Sequence, residues 1–274
     1  MKKLIAIIGH GYVGKAVEYG FDNTLNKLQL IDPNLYGNSL DDIQDPFVSF
    51  ICVPTPYGEN GHIDSSIVTD VTNKLIKNTT GLIVIKSTVI PSVIKELCCK
   101  SNRIIYNPEF LTERTALKDF INPSMHIFGG LKKETSILYK FFNSNSNCKP
   151  VKEVHFMGAV EAAFVKYGIN SYLATKVIWF NQYKDLIENF GADFDIINKA
   201  IGSDPRIGYS HTQVPGHDGK RGFGGACFPK DTSAIVKFDL NFLSLLNLVI
   251  TENNKYRSVY ELEDREKEQN VTYE

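Results

Sequence analysis

An apolar run of strand length, Lys3–Ile8, leads directly into Gly9-His10-Gly11-Tyr12-Val13-Gly14, and the residues after it, Lys15-Ala16-Val17-Glu18-Tyr19-Gly20, are spaced as a helix. Strand, G-x-G-x-x-G and helix in that order open a dinucleotide-binding βαβ unit. The first glycine makes the tight turn, the second lets a pyrophosphate reach the backbone, and the third lets helix and strand pack. Asp32 follows the next apolar run, 18 residues after Gly14, where such units carry an acid that accepts from a ribose 2′-hydroxyl. Gly9, Gly11, Tyr12, Val13, Gly14 and Asp32 are therefore candidate cofactor contacts. The competing interpretation is a glycine turn with an incidental aspartate.

Further strands, at residues 48–53, 82–85 and 103–106, alternate with helical stretches near 65–76 and 91–98, a pattern that predicts a doubly wound parallel sheet. Residues 125–128 and 151–156 read as added strands, separated by a helix over 133–142 and a polar loop over 143–147. Ligands of such sheets collect at the carboxyl ends of the strands. The segments there are Cys52-Val53-Pro54-Thr55-Pro56, Lys86-Ser87-Thr88-Val89 and Asn107-Pro108-Glu109-Phe110-Leu111-Thr112-Glu113. Singly they are a loop, a helix cap and a solvated acidic face. Together they place hydroxyls and two carboxylates on one rim.

The second half should be all-α. Residues 159–189 keep an amphipathic pattern without proline. A helix of that length spans about 46 Å, so it is expected to cross between two halves of the chain and to pack on a second subunit through Trp179, Phe180 and Tyr183. Lys166 and Asn170 lie four apart on it, hence on one face; alone they would be a surface lysine and a neighbouring amide. A shorter helix over 193–200 leads through Asp204-Pro205-Arg206-Ile207-Gly208 to a Gly/Pro-rich loop. The charged tail, 261–274, reads as frayed or disordered.

That loop ends in Gly222-Phe223-Gly224-Gly225-Ala226-Cys227-Phe228-Pro229-Lys230-Asp231. Pro229 suits a first helical position, so Cys227 would stand at the positive end of a helix dipole, a place that favours thiolate, with Lys230 adding a nearby cation. Cys227 is the candidate nucleophile; the plain alternative is a small buried apolar residue.

Composition narrows the function classes. A net charge of −1 gives no basic excess, which disfavours nucleic acid or an anionic membrane as partner. No apolar stretch is long enough to span a bilayer, and the amino terminus lacks a signal-type apolar core. Five cysteines without CxxC spacing fit a reducing compartment, so a cytoplasmic protein is expected. The histidines and cysteines show no metal-ligand spacing, and no metal is expected.

Taken in order, Gly9–Gly14, CVPTP, KSTV, NPEFLTE, Glu161 with Lys166 and Asn170, DPRIG and GFGGACFPKD resemble the UDP-glucose/GDP-mannose dehydrogenase family, most closely its UDP-glucose-oxidising members. The resemblance runs from Lys3 to about Asn254. It implies a Rossmann domain at 1–157, a helical central and dimerisation domain at 158–260, and NAD as cofactor. The reaction implied is four-electron oxidation of a nucleotide-sugar alcohol, UDP-glucose above all, to the acid.

The resemblance also implies the roles. Cys227 attacks an intermediate aldehyde, and Lys166 and Asn170 stabilise oxyanions. Asp231 and a water near Thr88 move protons, while Glu113 assists hydrolysis. Thr55, Thr88, Glu113 and Lys230 also join the cofactor contacts. Glu109, Phe110, Leu111, Glu113, Lys166, Asn170 and Gly224 line the sugar site, and Arg206 reaches a neighbouring copy's site in a homodimer. Three departures stand out. Members usually continue into a further domain that grips the nucleotide, whereas this sequence stops at Glu274, so uridine contacts are expected to be weak or to come from a separate chain. The loop over 211–221 is long, and Asp32 is followed by Pro33-Asn34-Leu35-Tyr36-Gly37 where many relatives carry a lysine.

Two other functions fit the same residues. One is a two-electron dehydrogenase of the 6-phosphogluconate or 3-hydroxyacid type, which needs Lys166 and Asn170 but no cysteine. The other is a catalytically idle NAD-binding or oligomerising module.

Overall fold

The computed structural model describes residues 2–58, 61–239 and 241–273. The chain divides into two compact units, Met1–Thr55 with Asp64–Lys166, and Pro56–Ile63 with Tyr167–Glu274.

The first unit is built on a seven-stranded sheet: β1 (Lys3–Ile8), β2 (Asn26–Ile31), β3 (Val48–Ile51), β4 (Leu82–Ile85), β5 (Ile104–Tyr106), β6 (Met125–Gly129) and β7 (Glu153–Met157). Their order is β2-β1-β3-β4-β5-β6-β7. Pairing is parallel except between β5 and β6, which meet antiparallel at Tyr106 and Gly129. The expected parallel sheet is thus extended past β5 by a parallel pair of reversed direction.

Helices α1 (Tyr12–Phe21), α2 (Pro33–Tyr36), α3 (Ser66–Asn78), α4 (Pro91–Lys100), α5 (Ala116–Ile121) and α6 (Lys132–Asn145) complete the unit. The inner strands are apolar on both faces because both are covered. Ala6, Ile8, Ile51 and Ile85 join one buried cluster, while Ile5, Ile7, Phe50 and Val84 join the other, as a period of two requires. Helix α6 continues through residues expected to form a polar loop. There the Asn145 carbonyl accepts from the side chains of Asn23 and Asn26, which ties the helix end to the entry of β2.

Register then fixes a rim. Ile31, Ile8, Ile51, Ile85 and Tyr106 pair in one row across five strands. The residues one step beyond, Asp32, Gly9, Cys52, Lys86 and Asn107, therefore stand at the carboxyl edge. Strand order reverses at β1, between β2 and β3, and that switch point is where a doubly wound sheet accepts its ligand.

The second unit is helical. α7 (Ala159–Asn189) is one 31-residue helix, as the pattern predicts, and the division of the chain falls within it, between Lys166 and Tyr167. α8 (Phe194–Gly202), α9 (Phe228–Phe238), α10 (Ser244–Arg257) and α11 (Asp264–Glu268) follow. Phe180, Ile187, Phe194 and Val214 form its apolar cluster. Phe180, expected on an exposed strip, is only 2% exposed; the outward apolar residues of α7 are Phe164, Tyr172, Trp179 and Leu186, the last three at heptad spacing.

The 261–274 segment departs from the frayed tail expected of it, although Glu274 itself lies outside the described residues. It contains α11, whose Glu266 is fully buried. Its Gln269 carbonyl accepts from the Tyr57 N–H, which docks Tyr57 in this unit. Among the described residues no helix is long and apolar enough to cross a membrane.

Candidate active site

Three groups of residues bear on function: a glycine cradle and an ion-pair cluster in the first unit, and the cysteine loop in the second. In the cradle, Gly9 has φ +85°, and a Cβ on it would lie 2.7 Å from the Cys52 carbonyl oxygen. A Cβ on Gly14 would lie 2.1 Å from the Gly9 oxygen, so helix and turn touch backbone to backbone. Gly11 differs, because a Cβ there meets nothing within 4 Å. It caps α1 without a side-chain hydrogen bond. An open glycine at an uncapped helix N-terminus fits a pyrophosphate.

Asp32 caps α2. Its Oδ2 accepts from the His10 N–H at 2.8 Å and its Oδ1 from the Asn34 N–H at 3.1 Å. Each oxygen keeps a further acceptor site for a ribose hydroxyl. The segment after Asp32 forms this short helix, and its Tyr36 hydroxyl is 2.9 Å from His10 Nδ1. These residues fit NAD.

Farther along the rim, Lys86 is the feature that sequence reasoning missed. Its ammonium is buried and donates to Asn107 Oδ1 at 2.8 Å and to the Asn107 carbonyl at 3.2 Å, and it pairs with the Glu109 carboxylate at 2.8 Å. Asn107 in turn donates to the Ile127 carbonyl on β6. Lys166 Nζ donates to the Glu109 carbonyl at 2.6 Å and lies 5.3 Å from the Phe110 ring centroid. Lys86 and Lys166 thus hold Glu109 from side chain and main chain. A cavity of about 250 Å³ opens beside them, lined by Lys86, Glu109, Phe110, Leu111 and His126. Burial holds the His126 imidazole down at about 4, and the charge of Lys86 acts in the same sense.

The carboxylate expected to face a sugar, that of Glu109, is thus engaged by Lys86. Thr55 is buried, Thr88 half-buried, and Glu113 exposed at the start of a short 3-10 turn. The signal for Lys86 was a lysine directly after an all-apolar strand, where a charge must find a partner.

In the second unit Cys227 is the N-cap residue of α9, with Pro229 in the first turn, and is half-buried. Asp231, one turn on, is fully buried. Its Oδ2 accepts from Asn170 Nδ2 at 2.7 Å and its Oδ1 from Lys230 Nζ at 2.6 Å, while its N–H donates to the Cys227 carbonyl. Asn170, Lys230 and Asp231 are therefore linked through their side chains, and Asp231 to Cys227 through the main chain. Cys52, by contrast, is pushed up to about 12 by burial and is an inert thiol.

The loop before Cys227 is held by residues that no motif flagged. Asn253 Oδ1 accepts from the Phe223 N–H, Asn181 Oδ1 from the Gly222 N–H, and Glu266 Oε1 from the Gly225 N–H. Gly224 packs against Arg257 and Glu266. In the long 211–221 stretch, Arg221 forms a two-point pair with Asp185 and Asp218 binds Arg257. Arg206 is exposed and paired with Asp204. Among the described residues no group of three His, Cys, Asp or Glu could hold a metal ion.

The sequence profile of the UDP-glucose/GDP-mannose dehydrogenase family, NAD binding domain, matches residues 34–144, and that of the same family's central domain matches 160–255. The UDP-glucose 6-dehydrogenase of Rickettsia typhi is 34% identical over 263 residues, which cover 92% of this chain and 57% of that protein. The Rickettsia felis enzyme of the same name is 35% identical over 232 residues, or 82% of this chain and 50% of that one. The chain thus spans about half the length of these curated relatives.

Among solved structures, a UDP-glucose dehydrogenase from Pyrobaculum islandicum aligns with TM-score 0.78 at 24% identity, covering 93% of this chain and 68% of that one. A 3-hydroxyisobutyrate dehydrogenase from Mycobacterium tuberculosis aligns with TM-score 0.73 at 14% identity, covering 100% and 97%. At these identities both likenesses concern the fold alone.

Proposed function

Because the chain belongs to the UDP-glucose/GDP-mannose dehydrogenase family, we propose that it serves the NAD-dependent four-electron oxidation of a nucleotide-sugar primary alcohol to the carboxylate, UDP-glucose to UDP-glucuronate, as a UDP-glucose 6-dehydrogenase does. The observation that carries this reading is Cys227 at the N-terminus of α9, one turn before a buried Asp231 held by Asn170 and Lys230. A two-electron oxidation has no use for that thiol.

Gly11 and Asp32 would hold NAD, and two molecules of it bound in turn would supply the hydride acceptors for the two oxidations. In the first, the alcohol carbon gives up hydride while its hydroxyl proton passes through water to Asp231, and an aldehyde results. Cys227 Sγ then adds to the aldehyde carbon. The new alkoxide of this thiohemiacetal is stabilised by the ammonium of Lys166 and the amide of Asn170; donors of this kind are worth about 100-fold or more in rate. Loss of the second hydride leaves a thioester. Water, assisted by Glu113, cleaves the C–S bond to give the acid and return the thiol. Covalent capture keeps the reactive aldehyde from escaping between the oxidations.

The second reading is a two-electron 3-hydroxyacid or 6-phosphogluconate dehydrogenase, favoured by the Lys166 and Asn170 pair, one turn apart on α7, which would suffice for it. An assay of NADH formation with UDP-glucose, GDP-mannose and 6-phosphogluconate separates the two. Two NADH per acid formed from a nucleotide sugar are expected. One NADH from 6-phosphogluconate would shift the assignment, and NAD binding without turnover of any substrate would leave an idle module.

A further inference from the structure

Glu266 carries a fully buried carboxylate whose partners converge from several parts of the second unit. Its Oε1 accepts from the Gly225 N–H at 3.0 Å, from Arg257 Nη2 at 2.8 Å and from the Tyr273 hydroxyl at 2.6 Å. Its Oε2 accepts from the Glu263 N–H at 2.9 Å. Arg257 is as deeply buried, and its Nη1 donates to Asp218 at 2.6 Å. Gly224 has no room for a side chain because a Cβ would stand 2.2 Å from Arg257 Nη2 and 2.5 Å from Glu266 Oε1. The ion pair is thus packed directly against the glycines that precede Cys227.

A buried ion pair is an expensive way to gain stability, since well-packed apolar side chains of similar volume often serve as well. What it offers here is direction. A carboxylate that binds a backbone N–H fixes that peptide plane, and Gly225, at φ +78°, is a residue whose backbone is otherwise free to turn. Only Ala226 separates it from the thiol-bearing residue. We infer that Glu266 is a positioning residue for Cys227: with Arg257 it locks the backbone at Gly225 and so sets where the thiol stands at the entry of α9. For its catalytic consequence the inference rests on the role proposed for Cys227.

Its test uses the thiol and no turnover, so failure of the proposed reaction and failure of this inference are distinguishable. The chain and its Glu266→Ala and Glu266→Gln variants are treated with iodoacetamide, and the alkylation rate of each cysteine is read by peptide mass spectrometry. Exposed Cys99 reports the intrinsic rate, buried Cys52 reports unfolding of the first unit, and the fluorescence of Trp179 on α7 reports unfolding of the second; a variant counts only while both keep their wild-type signal. In Glu266→Ala the ratio of the Cys227 rate to the Cys99 rate should change by about fivefold or more, as befits loss of a charge-assisted hydrogen bond, with Cys52 still protected. Glu266→Gln keeps an oxygen for the Gly225 N–H and should bring the ratio back to within about twofold of wild type. Should Glu266→Ala unfold the second unit, Glu266→Asp, which keeps the charge for Arg257 but shortens the reach to the Gly225 N–H, takes its place and should shift the ratio. An unchanged ratio in a variant that keeps both signals overturns the inference, as does a shift that glutamine fails to reverse.

Discussion

Lys86 and Glu109 meet at 2.8 Å between the end of β4 and the loop after β5, with the lysine side chain 2% exposed and the glutamate 17%. Breaking such a pair from one side leaves an uncompensated buried charge, which costs about 3–5 kcal/mol, whereas replacing both partners is close to neutral. Lys86→Met should therefore lower the unfolding free energy by about 3 kcal/mol, and Lys86→Met with Glu109→Leu should recover most of it. Urea denaturation of the two variants checks this. A single variant as stable as wild type would show that the pair contributes nothing.

The glycine cradle separates folding from cofactor binding. Gly14→Ala drives a methyl into the Gly9 carbonyl, while Gly11→Ala meets open space. The first should unfold at lower temperature; the second should melt like wild type, apart from a small change for the added methyl, yet lose NADH binding. Calorimetry and fluorescence titration read the two effects. Gly11→Ala with undiminished affinity would move the pyrophosphate elsewhere.

Asp32 should also set the choice of cofactor, because its carboxylate accepts from a 2′-hydroxyl and repels a 2′-phosphate. Titrations of NADH against NADPH measure that preference. NADPH binding as tight as NADH would remove Asp32 from the ribose.

Much of this was open to sequence reasoning and some was not, for identifiable reasons. Strand runs such as Leu82–Ile85 are short, wholly apolar and followed by polar or turn residues, and α7 is a long run without proline; the rim follows from where the strand runs end. Helix α10 opens on Leu245, Leu246, Leu248, Val249 and Ile250, an apolar run whose period is ambiguous. In α11 the string Asp264-Arg265-Glu266-Lys267-Glu268 looks like a solvated face, yet Glu266 is buried because Arg257 reaches it from the preceding helix. Ion pairs of that kind leave no spacing pattern. The sequence does not separate Phe180 from the exposed strip of α7, because Trp179 beside it is as apolar; only packing distinguishes them.

Acid should loosen this second unit through Glu266. Burial alone would raise its carboxyl, but hydrogen bonds from Tyr273, Glu263 and Gly225 and the charge of Arg257 outweigh that and hold it below its ordinary 4.5. A carboxyl depressed in the folded state contributes stability that is present above its unfolded value and is lost as pH falls through the folded one. Stability of the wild type should therefore fall more steeply with acid below about pH 4.5 than that of Glu266→Gln. Parallel curves for the two proteins would remove Glu266 from the linkage.

On α7 the exposed Tyr172, Trp179 and Leu186 repeat every seven residues, with Trp179 stacked on Tyr183 at 4.6 Å between centroids. A stripe of that spacing suits a partner helix, and a second copy of the chain is the expected partner. Sedimentation at micromolar concentration should show a dimer, and Trp179→Lys should weaken it. A monomeric wild type with full activity would contradict both the interface and the shared role of Arg206.

The proposed chemistry divides at Cys227. If the first hydride transfer needs only the cofactor, Lys166, Asn170 and a base, Cys227→Ala should still oxidise some alcohol to aldehyde but fail to make acid, because no thiohemiacetal can form. The loss at the second step should be on the order of 100-fold or more, while hydroxylamine trapping collects the aldehyde. Cys227→Ser should capture the aldehyde yet release acid slowly, since an alkoxide leaves less readily than a thiolate. Wild-type enzyme quenched during turnover should carry a sugar adduct on the peptide containing Cys227. If Cys227→Ala makes acid at the wild-type rate, the thiol is a packing residue at the head of α9, and the Lys166 and Asn170 pair serves a two-electron oxidation instead.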